Sequence, residues 1–434
     1  MYRTLIKQLY EWKNDKYRKP LIIRGARQVG KTWLMQTFGT EAYDKTLYVN
    51  CDKNPRIQEL FSIDYNMERI KTSLNIYAGH KIDTSDTLLI FDEIQEIPSA
   101  LAALKYFNEE APEYQIMCAG SLLGVALHPG TSFPVGKVEF LDLYPLSYTE
   151  FLQAMGKDQL AELLSAADYV MINTFKQDYI DNLKLYYFIG GMPEAVAHFI
   201  VNKDFNKVRT IQERILATYD QDFSKHAPHD AVPRIRALWN SIPAQLAKEN
   251  KKFIYGLMKQ GARAKDYEMA LLWLADCGLV HKVHRVTAPT LPLKAYEDFK
   301  AFKLFMLDVG LLSCMSQLGQ EILLDKNDLF KEFKGALTEQ YVLQQLKTMK
   351  EITPYYWTND RNSAEIDFLI DNRKGVIPLE VKAETNLQAK SLKVFREKFE
   401  PRIAIRSSMA DYKEEEWLIN LPLYAIGTIR QLSI

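Results

Sequence analysis

Three groups of residues in this chain have the types and spacing to do chemistry. The first is Gly25-Ala26-Arg27-Gln28-Val29-Gly30-Lys31-Thr32, which has the G-x-x-x-x-G-K-[ST] spacing of a phosphate-binding loop, or P-loop. Gly25 and Gly30 carry no Cβ, so main-chain N–H groups from Gly25 through Ala26, Arg27, Gln28, Val29 and Gly30 to Trp33 can turn toward phosphate oxygens. Lys31 has the reach and charge to neutralise β and γ phosphates, and the Thr32 hydroxyl suits one ligand position on Mg²⁺. The flanks agree: Leu21-Ile22-Ile23 is a short apolar run with β character, and Trp33 to Phe38 is apolar at helical spacing. The helix would point its positive dipole end at the same phosphates. The implied ligand is a nucleoside triphosphate, with ATP and Mg²⁺ as the expected cofactors.

The second group ends the apolar run Thr87-Leu88-Leu89-Ile90-Phe91, which leads into Asp92-Glu93. Read as a buried central strand, it brings Asp92 to the carboxyl end of a sheet beside the P-loop. Asp92 is assigned to the metal and Glu93 to orienting and polarising an attacking water. A further candidate strand, Tyr114 to Ala119, ends at Gly120-Ser121, where the Ser121 hydroxyl could sense the γ-phosphate.

The third group lies far along the chain. Glu380 and Lys382 are two apart on the candidate strand Val376 to Ala383 and therefore share a face. Asp367 lies on the preceding strand, Ala364 to Ile370, and Glu339 lies within a helix over Phe333 to Met349. Glu339, Asp367, Glu380 and Lys382 together are what metal-assisted phosphodiester hydrolysis needs, with Asp367 and Glu380 as the Mg²⁺ ligands and Lys382 holding a water. The same residues also suit a structural salt-bridge cluster on a nuclease-like scaffold that does no chemistry.

The elements that position these groups imply more than one core. A length of 434 residues calls for two to three domains, expected at 1–230, 231–295 and 296–434. Acidic and basic residues balance at 55 each, so any nucleic-acid affinity must come from a local patch. Apolar runs stay well short of a membrane span, and Leu5, Leu9 and Trp12 at the start suit packing on the first core. Cys51, Cys118, Cys277 and Cys314 form no C-x-x-C, which suits a reducing cytoplasm. The pairs His226/His229 and His281/His284 have no further ligand at a metal-site spacing. Ser147 and Glu150 read as a capping box, and Gly190-Gly191-Met192-Pro193 breaks and restarts a helix. Between Ser241 and Val286 the order helix, turn, helix, glycine turn, strand suggests a winged helix. Lys248, Lys251, Lys252, Lys259, Arg263, Lys265, Lys282 and Arg285 give it a modest basic bias.

The chain resembles the prokaryotic AAA-type ATPases that pair an N-terminal P-loop domain with a C-terminal domain of unknown function, which are similar to archaeal ATPases of the signal-transducing class. The resemblance rests on Arg24 to Thr32, Phe91-Asp92-Glu93-Ile94-Gln95, Leu143-Tyr144-Pro145-Leu146-Ser147, Gly190 to Pro193, and Leu307-Asp308-Val309-Gly310-Leu311. It implies an α/β chain: a P-loop AAA-type parallel sheet with a helical lid, a winged helix, and a restriction-endonuclease-like C-terminal domain of the PD-(D/E)xK type. By that likeness Pro193 would sit near the adenine. Where many relatives show Gly-Arg, this chain reads Val135-Gly136-Lys137. The expected function is an ATPase coupling nucleotide state to a DNA-binding or nuclease-like module, with DNA as the expected partner through the winged helix and C-terminal domain. Homo-oligomerisation is a second expectation. The alternative is a signalling or assembly switch whose terminal domain is catalytically silent and binds a protein.

Overall fold

The computed structural model describes residues 1–120, 133–248, 251–319, 331–359, 364–372, 374–383 and 390–432. Contacts within the chain define two compact units: residues 3–144 with 276–278, and residues 1–2, 145–275 and 279–434.

In the first unit five strands form one sheet: β1 (Leu21–Arg24), β2 (Lys45–Asn50), β3 (Thr87–Asp92), β4 (Gln115–Gly120) and β5 (Glu139–Asp142). Their order is β2-β3-β4-β1-β5, and every neighbouring pair is parallel. Strands β3 and β4 are buried along their whole length, which is why their sequences, TLLIFD and QIMCAG, are almost unbroken apolar runs. Helices Ile6–Asn14, Lys31–Ala42, Pro55–Ser62, Met67–Ala78 and Pro98–Glu110 connect and cover the strands. Asn54 and Asn66 cap two of them by accepting the N–H groups of Ile57 and Arg69. Ile57, Phe61, Ile70, Phe91, Leu101, Phe107 and Ile116 fill one core, with the Phe61 and Phe91 rings edge to face at 5.9 Å. Leu9 and Trp12 of the first helix are buried.

The second unit begins with the expected capping box: Ser147 Oγ accepts from Glu150 N–H at 3.2 Å, and Glu150 Oε2 accepts from Ser147 N–H at 2.9 Å. A run of helices continues to His226. Helix Val232–Leu246, longer than the sequence suggested and holding Pro243 inside it, is followed by a single bridge between Lys252 and Lys303. A 3₁₀ turn (Tyr255–Leu257), helix Ala264–Asp276 and the antiparallel strands β6 (Val280–Val286) and β7 (Glu297–Met306) come next. Helix Lys331–Lys347 precedes β8 (Tyr355–Thr358), β9 (Glu365–Asn372), β10 (Gly375–Val381), β11 (Ala404–Ser408), β12 (Lys413–Glu414) and β13 (Leu418–Pro422). These strands form one sheet ordered β12-β13-β11-β10-β9-β8-β6-β7. Strand β6 joins it where Arg285 pairs with Tyr356, so residues 231–295 and 296–434 meet in continuous β-structure. Among the described residues, no helix is long and apolar enough to cross a membrane.

Two sequence motifs far apart in the chain meet in this unit. Asp308 caps helix Val309–Met315, its Oδ1 accepting from Leu311 N–H at 3.0 Å. Its Oδ2 accepts from Gly191 N–H at 2.6 Å and Gln344 Nε2 at 3.0 Å, while Gln344 Oε1 accepts from Val309 N–H at 2.9 Å. Glycine is required at 191 because a Cβ there would stand 2.3 Å from the Leu146 carbonyl oxygen. Gly191→Ala is therefore expected to cost about 2 kcal/mol or more through overpacking. Gly335, inside helix Lys331–Lys347 with open space at its Cβ position, is the contrast: Gly335→Ala should gain about 0.5–1 kcal/mol. Thermal melts of the two variants, shifting in opposite directions, check both.

Candidate functional site

The loop after β1 has the backbone that its glycines permit. Gly25 (φ 150°), Gln28 (φ 66°) and Gly30 (φ 95°) all lie at positive φ, and a Cβ at residue 25 would stand 2.2 Å from the Leu143 carbonyl oxygen. Gln28 is the one of these that carries a side chain, and non-glycine residues held at positive φ concentrate at ligand sites. Ala26 and Val29 are buried and anchor the loop, Arg27 and Gly30 are half-buried, and Gln28 is exposed. Arg3 Nη1 donates to the Val29 carbonyl at 2.8 Å, fixing the loop from behind. Gly30 leads into helix Lys31–Ala42, and Trp33 is exposed on its first turn. Lys31 is buried, with its ammonium donating to the Gly25 and Ala26 carbonyls at 2.9 Å each. Burial pushes its pKa down to about 8, against the opposing pull of Glu93 and Asp92. The hydrogen bonds of that ammonium go to the carbonyls of its own loop, and a phosphate would answer its charge better.

Asp92 at the end of β3 reaches this loop although β4 lies between β3 and β1. The Thr32 hydroxyl donates to Asp92 Oδ2 at 2.6 Å, and the Tyr48 hydroxyl donates to the same oxygen at 2.9 Å. A threonine hydroxyl converging with a carboxylate beside a lysine fits an octahedral Mg²⁺ that keeps several waters. Glu93, in the left-handed region at φ 50°, donates its N–H to Asp92 Oδ1 at 3.1 Å. Its Oε2 accepts from Gln95 Nε2 at 2.6 Å. Ser121 lies outside the described residues. Lys137 is paired with Glu109 at 2.9 Å. Pro193 belongs to the second unit, as the first residue of helix Pro193–Asn202.

The third group is gathered in the second unit, with two lysines that the sequence reading did not include. Lys303 on β7 is wholly buried. Its ammonium lies 3.4 Å from Glu339 Oε2 and 3.9 Å from Asp367 Oδ1, and it pairs with Glu365 Oε1. Lys251 pairs with Glu339 Oε1. Asp367 Oδ2 accepts from Val381 N–H at 2.7 Å, and Lys382 is paired with Glu380 at 2.8 Å. Burial would raise the Glu339 carboxyl, but Lys251 and Lys303 outweigh it and hold its pKa near 2. Burial and the neighbouring Glu339 charge push Asp367 up to about 8. Burial would lower the Lys303 ammonium, and the three carboxylates together raise it above the ordinary lysine value. Among the described residues, no group of three His, Cys, Asp or Glu side chains is set to hold a metal ion. Burial pushes His281 down to about 3, and His284 lies 3.6 Å from Glu297.

Tyr48, Gln95, Lys251, Lys303 and Glu365 are therefore the site neighbours that sequence reading missed. Lys303 did leave a signal, since a lysine inside Phe302-Lys303-Leu304-Phe305-Met306 puts a charge mid-strand in an apolar run, and a buried charge must be paired. Tyr48 left none, because its partner is 44 residues away. Removing its hydroxyl in Tyr48→Phe should cost about 1 kcal/mol, read as an earlier denaturant midpoint without loss of β-sheet circular dichroism.

Residues 17–152 match the family model of an AAA domain. Residues 180–322 match a domain of unknown function (DUF8612), and residues 334–425 a second one (DUF4143). The N-terminal part is thus an AAA-type domain, and its five-stranded parallel sheet fits a P-loop ATPase fold. Among solved structures, the Walker-type ATPase PABY2304 of Pyrococcus abyssi is similar at 14% identity and a TM-score of 0.43, covering 72% of this chain and 94% of that one. The ORC1 protein of Aeropyrum pernix in complex with DNA is similar at 12% identity and a TM-score of 0.27, covering 72% and 90%. A RuvB variant of Thermotoga maritima is similar at 13% identity and a TM-score of 0.29, covering 64% and 87%. No curated protein matches the chain.

Proposed function

We propose that this chain is an ATP-binding, Mg²⁺-dependent ATPase whose nucleotide state governs its C-terminal module. The observation that carries the reading is the meeting of Lys31, Thr32 and Asp92 at the mouth of a glycine loop, with Thr32 and Asp92 2.6 Å apart. The loop amides and Lys31 would bind the phosphate tail, and Thr32 and Asp92 would hold a magnesium ion, which would supply positive charge against the phosphates. Glu93 accepts a proton from the water that attacks the γ-phosphorus, and ADP leaves with the bridging oxygen. The hydrogen bond from Gln95 Nε2 to Glu93 Oε2 at 2.6 Å would orient that carboxylate. Phosphate release under steady-state conditions tests the reading. Turnover should need Mg²⁺ and stop with excess EDTA, and phosphate release unaffected by EDTA would count against it.

Residues 232–306 follow the order helix, bridge, helix, two-stranded hairpin, which supports a winged-helix reading, and the C-terminal strands support a nuclease-like scaffold. In the first form of the proposal, this module grips or cleaves DNA. A second reading, a catalytically silent module that binds a protein partner, is favoured by a specific observation. Two residues of the basic bias are committed to carboxylates: Lys251 to Glu339 and Arg285 to Asp298. Plasmid or branched DNA incubated with Mg²⁺ or Mn²⁺ separates the two readings. Cutting that is lost in both Asp367→Ala and Lys382→Ala supports the first. Neither cutting nor retention of DNA at low salt supports the second.

A further inference from the structure

We propose that the carboxylate cluster of the C-terminal sheet carries its own cation, the Lys303 ammonium, and binds no divalent metal in the native protein. Lys303 reaches three carboxylates, those of Glu339, Glu365 and Asp367, from a strand on which it has no exposure to water. The remaining Glu339 oxygen is held by Lys251 and the remaining Asp367 oxygen by Val381 N–H. Two ammonium groups thus stand against Glu339, Glu365 and Asp367, where a Mg²⁺ would need near-octahedral oxygens with room for its waters. A fixed ammonium among the same carboxylates repels a second cation while satisfying their charge, and the low dielectric of a buried site strengthens both effects.

The residues expected to complete a hydrolytic site are also engaged, because Lys382 is paired with Glu380 at 2.8 Å. Glu380 Oε2 is buried without a hydrogen bond, but one carboxylate oxygen does not make an octahedral ligand set. Both cluster lysines come from the segments joined by the Lys252–Lys303 bridge, and the carboxylates come from helix Lys331–Lys347 and β9. The cluster is therefore an ionic seam fastening the hairpin and the Lys251 segment to the nuclease-like scaffold. This inference concerns the second unit alone and stands whether or not the P-loop hydrolyses ATP. It bears on the nuclease-like reading by filling the place of the ion that cleavage would need.

The test is a Mn²⁺ titration followed by electron paramagnetic resonance, on the full chain carrying Asp92→Asn and without nucleotide, so that the P-loop ligand set is removed. The parent chain should hold no Mn²⁺ at millimolar concentration. Lys303→Met in the same background should melt several degrees lower, recover part of that loss when Mn²⁺ is added, and show a bound ion that disappears when Asp367→Asn is added. Mn²⁺ bound by the parent chain and released by Asp367→Asn alone would overturn the proposal. So would a Lys303→Met chain that melts like its parent and ignores Mn²⁺. Should Lys303→Met not fold, the parent titration decides by itself: an ion sensitive to Asp367→Asn overturns the inference, and none upholds it. DNA cleavage is not a readout, so a silent nuclease scaffold and a mistaken nuclease-like reading stay distinguishable.

Discussion

Lys31→Ala is expected to weaken ATP binding by about a hundredfold or more, roughly 3 kcal/mol, the worth of one or two charge-assisted hydrogen bonds to phosphate. The lysine is buried, and its charge is answered by the Gly25 and Ala26 carbonyls alone among the hydrogen bonds it makes. That charge is already stripped of water, so exchanging carbonyls for phosphate oxygens brings gain without a new desolvation cost. Folding should survive the change, since burial already disfavours the charge, as its lowered pKa records. The measurement is calorimetric titration with ATP and Mg²⁺, beside a thermal melt of the nucleotide-free chain. Wild-type affinity in a folded Lys31→Ala chain would remove the P-loop from the account of nucleotide binding.

Glu93→Gln should separate binding from turnover. The substitution keeps size and backbone preference at a residue held at φ 50°, and it removes only the ability to take a proton from water. Turnover should fall by about 10²–10⁴-fold, the usual share of a positioned general base, while affinity for ATP stays within about threefold of wild type. Rapid quenching of a stoichiometric mixture would show retained ATP in the variant and ADP in the wild type. If the variant turns over normally, the base is elsewhere, and the Gln95 hydrogen bond to Glu93 at 2.6 Å would be a structural tie rather than the orientation of a catalytic group.

Much of this architecture was legible because it depends on near neighbours in sequence. The spacing from Gly25 to Thr32 places the loop between strand and helix through local backbone preference. The capping box at Ser147 and Glu150 closes within one turn. The strands around Asp367 and Glu380 follow from short apolar runs bounded by turns, and the observed Glu365–Asn372 and Gly375–Val381 lie within two residues of the expected ends. Helix Val232–Leu246 begins nine residues before Ser241, where the first helix of the winged-helix order is expected.

Strand order and side-chain partnership were not legible, because both are set by contacts between residues remote in the chain. The insertion of β4 between β1 and β3, the Tyr48 hydroxyl on Asp92, and the joining of β6 to β8 depend on which hydrophobic faces pair during folding. Glu339, Asp367, Glu380 and Lys382 were visible as types at a spacing, and that spacing suited a metal as well as it suited salt bridges. Only the tertiary structure brought Lys303 and Lys251 to those carboxylates. Sequence by itself therefore determined which atoms are available for chemistry. The balance of charge among them was decided by burial, because an ammonium removed from water must be matched by whichever carboxylates the fold places around it.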